Sequence, residues 1–149
     1  MSLRNSLRGT GVAIVTPFTT TGKIDFSALE SLINFIIKNG VEYVVTLGTT
    51  GETPTLSKSE KIDIVNFTYD KVDSRVPVVV GIGGNNTSEI AHDLETMPLD
   101  KAIAVLSASP YYNKPSQEGI FLHYEILAKA SPKPIILYNV PGRTGRNME

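Results

Sequence analysis

The run PVVVGIG at residues 77–83 is apolar throughout, broken only by its two glycines, and shows none of the in-out alternation of a strand with one wet face. Continuous β-branched runs of this kind are expected of parallel strands buried on both faces. Four more lie to either side: VAIVTPF from Val12, YVVTL from Tyr43, AIAVL from Ala102 and PIILYNV from Pro134. Their starts are 31, 34, 25 and 32 residues apart, the length of one strand-helix unit.

Helical periods fill the gaps. Leu29, Leu32, Ile33, Ile36 and Ile37 form one apolar stripe, stopped by Asn39-Gly40. Ser57 with Glu60 makes a capping box before Ile62, Val65, Tyr69 and Val72. Asn86 and Thr87 can cap a helix carrying Ile90, Ala91, Leu94 and Met97. Ser116 can cap another, with Ile120, Tyr124, Leu127 and Ala128 inside. The pattern is β-α-β-α-β-α-β-α-β without an internal linker, low-complexity stretch or domain boundary. Strict alternation implies a parallel sheet, either closed as a barrel or open and doubly wound. A complete (β/α)8 barrel needs about 250 residues. An open five-stranded, flavodoxin-like sheet fits the length better, and pattern alone does not choose.

The chain has 149 residues, of which 41% are hydrophobic and 19% charged, enough for one domain with a core. A net charge of −1 with no basic patch argues against nucleic acid or an anionic membrane surface as partner. Cysteine is absent, which removes disulfides, thiol nucleophiles and cysteine-based metal sites. No apolar run approaches membrane-spanning length, and Met1 to Leu3 read as a leader irrelevant to the fold. A soluble, cytoplasmic protein is expected.

In both architectures ligands bind at the carboxyl ends of the strands. The loops there hold Thr16-Pro17-Phe18, Gly48 to Glu52, Gly83 to Asn86, Ser109 to Asn113 and Tyr138 to Gly145. Gly48 to Glu52 offers hydroxyls and bare N–H groups to an anion, although alone it reads as a tight turn with a hydroxyl cap. Tyr138 is placed to exchange protons and Arg143 to clamp a carboxylate, against the commoner readings of a packed aromatic and a solvated charge. Tyr111-Tyr112 fits an interface patch equally well. Gly81-x-Gly83 lacks the third glycine of a dinucleotide fingerprint, since Asn86 stands there. His92 and His123 fall inside predicted helices and suggest no metal site; both read as surface or packing histidines.

Four of these strings change the reading together. VAIVTPF (12–18), GTTGET (48–53), SPYYNKPSQEG (109–119) and YNVPGRTG (138–145), in that order and spacing, resemble the dihydrodipicolinate synthase family, also called 4-hydroxy-tetrahydrodipicolinate synthases. The resemblance covers the chain from about Gly9 onward. It implies an α/β fold of the TIM (β/α)8 barrel family, with about the first five strands and four helices present. It also implies a lyase of the class I Schiff-base aldolase type, condensing pyruvate with L-aspartate-4-semialdehyde on the route to diaminopimelate and lysine. No metal or organic cofactor is implied, and the partner is a further copy of the chain in a homodimer or homotetramer. N-acetylneuraminate lyase and keto-deoxy sugar-acid aldolases share the fold. The second threonine of Gly48-Thr49-Thr50-Gly51 and Arg143 favour the synthase.

Carried over residue by residue, the resemblance makes Tyr138 the acid/base that serves an imine. It makes Thr49 the link from Tyr138 to Tyr112, a residue reaching in from a neighbouring subunit. Thr50 with Thr49 holds the pyruvate carboxylate, and Arg143 binds the second substrate. Asn85, Glu89 and Tyr111 match a lysine feedback site, where Lys58 and Lys61 put inhibition in doubt. The family's Schiff-base lysine closes the sixth strand, so residues 1–149 are expected to be one partial barrel domain truncated before it and inactive alone. Of the nine lysines, Lys114 alone is expected on the catalytic side. A ligand-binding or assembly module without catalysis is the other class.

Overall fold

Five parallel strands pair in chain order, and that order separates the two architectures the strand-helix pattern alone left open. The computed structural model describes residues 3–149. Its strands are β1 (Gly11–Ala13), β2 (Tyr43–Thr46), β3 (Val78–Gly81), β4 (Ala104–Ala108) and β5 (Ile135–Tyr138). The sheet order is β1-β2-β3-β4-β5, with Gly11 opposite Tyr43, Val44 opposite Val78, Val79 opposite Ala104 and Val105 opposite Ile135. An open flavodoxin-like sheet would reverse direction after its first strand, giving order 2-1-3-4-5. No reversal occurs, so the chain winds one way round, as part of a barrel.

Helices α2 (Phe26–Lys38), α3 (Lys58–Val72), α4 (Thr87–Thr96) and α5 (Gln117–Ala130) are the crossovers, with α2 packed on α3 and α4 on α5. Their starts follow local chemistry. Asp25 accepts from the Ala28 N–H at 2.9 Å, while Ser57 and Glu60 close the expected capping box on α3. Asn86 and Ser116 cap α4 and α5 through the N–H groups of Glu89 and Gly119. After α2, Gly40 takes φ 89, a left-handed position where a side chain would be strained.

Alternation along each strand sorts side chains into two layers. Val44, Val78, Val80, Val105 and Ile135 face the helices and pack with Leu29, Ile33, Ile64, Val65, Leu94 and Leu127. Val45, Val79 and Ala104 face the other way, joined by Tyr43, Leu106 and Ile136. Leu3 and Leu7 pack on this inner cluster, Leu3 from the short α1 (Leu3–Ser6) and Leu7 just after it. The expectation that Met1 to Leu3 are irrelevant to the fold therefore fails at Leu3, and Met1 and Ser2 lie outside the described residues. Apolar area gained on the inner face explains why this segment is held rather than left free.

On α5 the inner face is Ile120, His123, Tyr124 and Leu127; Ala128, expected there, is exposed. His123 takes the inner place because Thr87 gives its Nδ1 a partner at 2.8 Å, so the ring is buried with a hydrogen bond. His92 is exposed.

Candidate functional site

The strand ends are shaped by a few hydroxyls and one close backbone approach. After β2 the chain turns at Leu47, whose φ is 55, and its carbonyl points at β3. A Cβ on Gly81 would lie 2.1 Å from the Leu47 oxygen, so the first glycine of Gly81-x-Gly83 is a spacing device rather than part of a nucleotide loop. The Thr53 hydroxyl donates to the Leu47 and Gly48 carbonyls at 2.6 and 3.0 Å, and Thr16 donates to the Gly51 carbonyl at 2.7 Å. These latches hold the 3-10 turn Thr49–Gly51. Its first bond runs from the Gly51 N–H to the Gly48 carbonyl at 2.9 Å, which leaves the N–H groups of Thr49 and Thr50 at the open end of the turn.

Beyond β5, helix α6 (Pro141–Thr144) carries Arg143 exposed, and Thr144 is buried with its hydroxyl donating to the Arg146 carbonyl at 2.9 Å. The last residues fold back: Asn139 donates to Asn147 at 2.8 Å, and Gln117 at the start of α5 donates to the Asn147 carbonyl at 2.8 Å.

A cleft of about 600 Å³ opens between these loops. Thr49 after β2 and Tyr138 with Arg143 at and after the end of β5 line it together, and Asn85, Glu89 and Tyr111 line it too. Thr50 and Tyr112 are exposed but do not line it. Among the described residues, the hydroxyls of Thr49, Tyr138 and Tyr112 make no hydrogen bond with one another. Asn85 has its carboxamide on the Tyr111 backbone, Oδ1 accepting at 2.8 Å and Nδ2 donating at 3.0 Å. Glu89 is on the first turn of α4, and no group of three or more potential metal ligands clusters among the described residues.

One lysine stands otherwise than expected. Lys61, on the first turns of α3, lines the cleft together with Glu89 and Asp93, because α3 starts at the same end of the sheet as the β2 loop. Lys114 does not line it; its alkyl stem lies over Gly145, and its φ is 50. Lys58 pairs with Asp93 at 2.8 Å, so the charge it brings to α4 is locally balanced.

The supporting roles that sequence reading did not assign are those of Thr16, Thr53, Gly81 and the carboxamide of Asn85. Only Thr53, a third hydroxyl just past the Thr49-Thr50-Gly51 turn, leaves a local trace; the others act across separate loops.

The described helices include none long and apolar enough to cross a membrane. Residues 6–149 match the family model described as the dihydrodipicolinate synthetase family. The 4-hydroxy-tetrahydrodipicolinate synthase of Flavobacterium psychrophilum is 54% identical over 94% of this chain and 48% of its own length. That of Azobacteroides pseudotrichonymphae is 51% identical over 95% and 48%. The dihydrodipicolinate synthase of Acinetobacter baumannii, solved in complex with pyruvate, superposes with a TM-score of 0.92 at 40% identity, covering 96% of this chain and 49% of that one. The chain spans about half the length of the curated relatives it matches.

Proposed function

The chain belongs to the dihydrodipicolinate synthetase family, and from that membership we propose that its cleft is the substrate-binding part of a 4-hydroxy-tetrahydrodipicolinate synthase. The reaction would join pyruvate to L-aspartate-4-semialdehyde through a Schiff base, in the cytoplasm and in a homo-oligomer, the family dimer or tetramer. The observation that carries the reading is the convergence of Thr49, Tyr138 and Arg143 on one cleft over the strand ends.

The chemistry assigns each a task. An amine attacks the pyruvate carbonyl, water leaves, and loss of a methyl proton gives an enamine that attacks the aldehyde carbon. Thr49 and the N–H end of its turn, with Thr50, hold the pyruvate carboxylate. Tyr138, at the strand end, moves protons to and from the departing oxygen. Thr49 would pass protons on to Tyr112, which is 87% exposed and would complete the relay in a neighbouring copy. Arg143 takes the carboxylate of the semialdehyde. Asn85, Glu89 and Tyr111 would form the regulatory lysine site. Residues 1–149 would then be one part of a barrel domain, with the reacting amine supplied from outside the described residues. Lys61 belongs to α3, outside the sheet, and Lys114 lies over Gly145, so neither is assigned the role.

The test is trapping with borohydride in the presence of pyruvate, read by intact mass. The 149-residue chain should gain no stoichiometric adduct. A chimera in which it replaces the matching segment of the Flavobacterium psychrophilum relative should gain one and turn over both substrates. An adduct on Lys61 or Lys114 of the short chain, or an inert chimera that folds, would sink the reading.

A further inference from the structure

Asn85 sits between β3 and α4, yet its carboxamide serves a different loop. Both of its arms grip one residue, accepting from the Tyr111 N–H and donating to the Tyr111 carbonyl, as an adjacent strand would. That same carbonyl accepts from the Asn113 N–H at 2.8 Å. With Tyr112 between them at φ 70, this is a γ-turn of the rare, strained hand. The Tyr112 N–H donates in turn to the Thr144 carbonyl at 3.2 Å. A bulky residue stays in such a conformation only where its surroundings over-determine it. Here the surroundings are Asn85 on one side and α6 on the other, while the ring itself is 87% exposed. The turn thus fixes the direction of a side chain that touches little of its own chain.

We propose that Asn85 is a positioning residue for Tyr112: its two-armed grip on Tyr111 holds the γ-turn that aims the Tyr112 hydroxyl. The proposal rests on the reading of Tyr112 as a relay group. A carboxamide carries a donor and an acceptor at a fixed separation, as the N–H and carbonyl of a single residue require, and needs no proton to do so. The neighbouring carboxamide of Asn86 is committed to the α4 cap, so the grip on Tyr111 falls to Asn85.

The experiment uses the 149-residue chain without substrate, with hydrogen exchange read residue by residue and 3-fluorotyrosine giving one fluorine signal per tyrosine. Asn85→Ala should speed exchange at the Tyr111 amide about ten- to a hundredfold, the loss of one to two hydrogen bonds. The Tyr112 fluorine signal should shift and narrow, while those of Tyr138 and Tyr69 stay in place. Asn85→Asp keeps the acceptor and should restore protection at Tyr111. Unchanged exchange at Tyr111 with an unmoved Tyr112 signal would overturn the proposal. If alanine instead accelerates core amides such as Val80 and Val105 equally, the Asn85→Asp comparison with the native chain decides: protection at Tyr111 with an altered Tyr112 signal supports the grip, and two native-like signals refute it. No substrate enters, so the pyruvate reading can fail without touching this result.

Discussion

Arg143 stands exposed on a four-residue helix whose backbone is fixed by Val140 and Pro141, so its guanidinium can be removed with little disturbance beneath it. In the chimera, Arg143→Ala should weaken use of the semialdehyde by about ten- to a hundredfold, the worth of a charge-assisted pair of about 1.5–3 kcal/mol. Adduct formation with pyruvate alone should survive, and steady-state kinetics for each substrate check the split. His123 is the opposite case. Burial pushes its pKa down, its Nδ1 is bonded to Thr87, and its Nε2 is buried without a partner among the described residues. A histidine whose folded pKa lies below its unfolded value of about 6.5 stabilises the fold fully above that pH. That stability is lost as pH falls through the unfolded value towards the folded one, by up to about 1.4 kcal/mol per pH unit. Urea midpoints at pH 8, 6 and 5 should therefore fall in acid, and His123→Asn, which keeps a polar partner for Thr87, should flatten the fall. Parallel curves for the two proteins would mean that other groups carry the acid sensitivity.

At the scale of elements, the sheet is assembled through contacts between loops as much as through its ladders. Gly81→Ala forces a methyl against the Leu47 carbonyl, a backbone atom already held by Thr53. The expected cost is about 1–3 kcal/mol, seen as a lower urea midpoint, with Gly142→Ala as a near-neutral control because none of the described residues lies within 4 Å of its added Cβ. Strands, crossover helices and three of the caps were legible in the chain, since apolar period and capping residues act within a few positions of one another. Strand order was not legible in the pattern alone, because the same β-α alternation serves an open sheet and a barrel; the family resemblance pointed to the barrel. Of the candidate site, loop composition offered Thr49, Tyr138 and Arg143 only beside commoner readings, and the family resemblance singled them out. The grip of Asn85 on Tyr111 spans 26 residues, and the Thr16 latch on Gly51 spans 35, so neither leaves a local signature. Ala128 was misplaced because its small apolar side chain fits a buried stripe or a wet one equally, whereas His123 found Thr87.

For the molecule as a whole, the middle of the inner face is covered, and much of the exposed apolar surface lies on β5 and α5. Val79 and Ala104 on the inner face are almost completely covered, whereas Leu137 on β5 is 53% exposed and Leu122 and Ile126 of α5 are each 46% exposed. An outward leucine on a terminal strand beside a half-covered helix is a surface that associates. The 149-residue chain should sediment as a concentration-dependent oligomer and bind an apolar dye, and Leu137→Lys should reduce both. A sharp monomer without dye binding would count against that reading of β5. The sequential strand order carries one further consequence, for biosynthesis. Each strand pairs with the one made just before it, at sequence separations of 32, 34, 25 and 30 residues along the register. At about 5–20 residues per second a ribosome releases such a unit every 2–6 s or so, while helices form in about a microsecond. No strand must wait for a distant partner, so the sheet can grow from its first edge in the order of translation, each new hairpin of strand and helix finding its template already laid down.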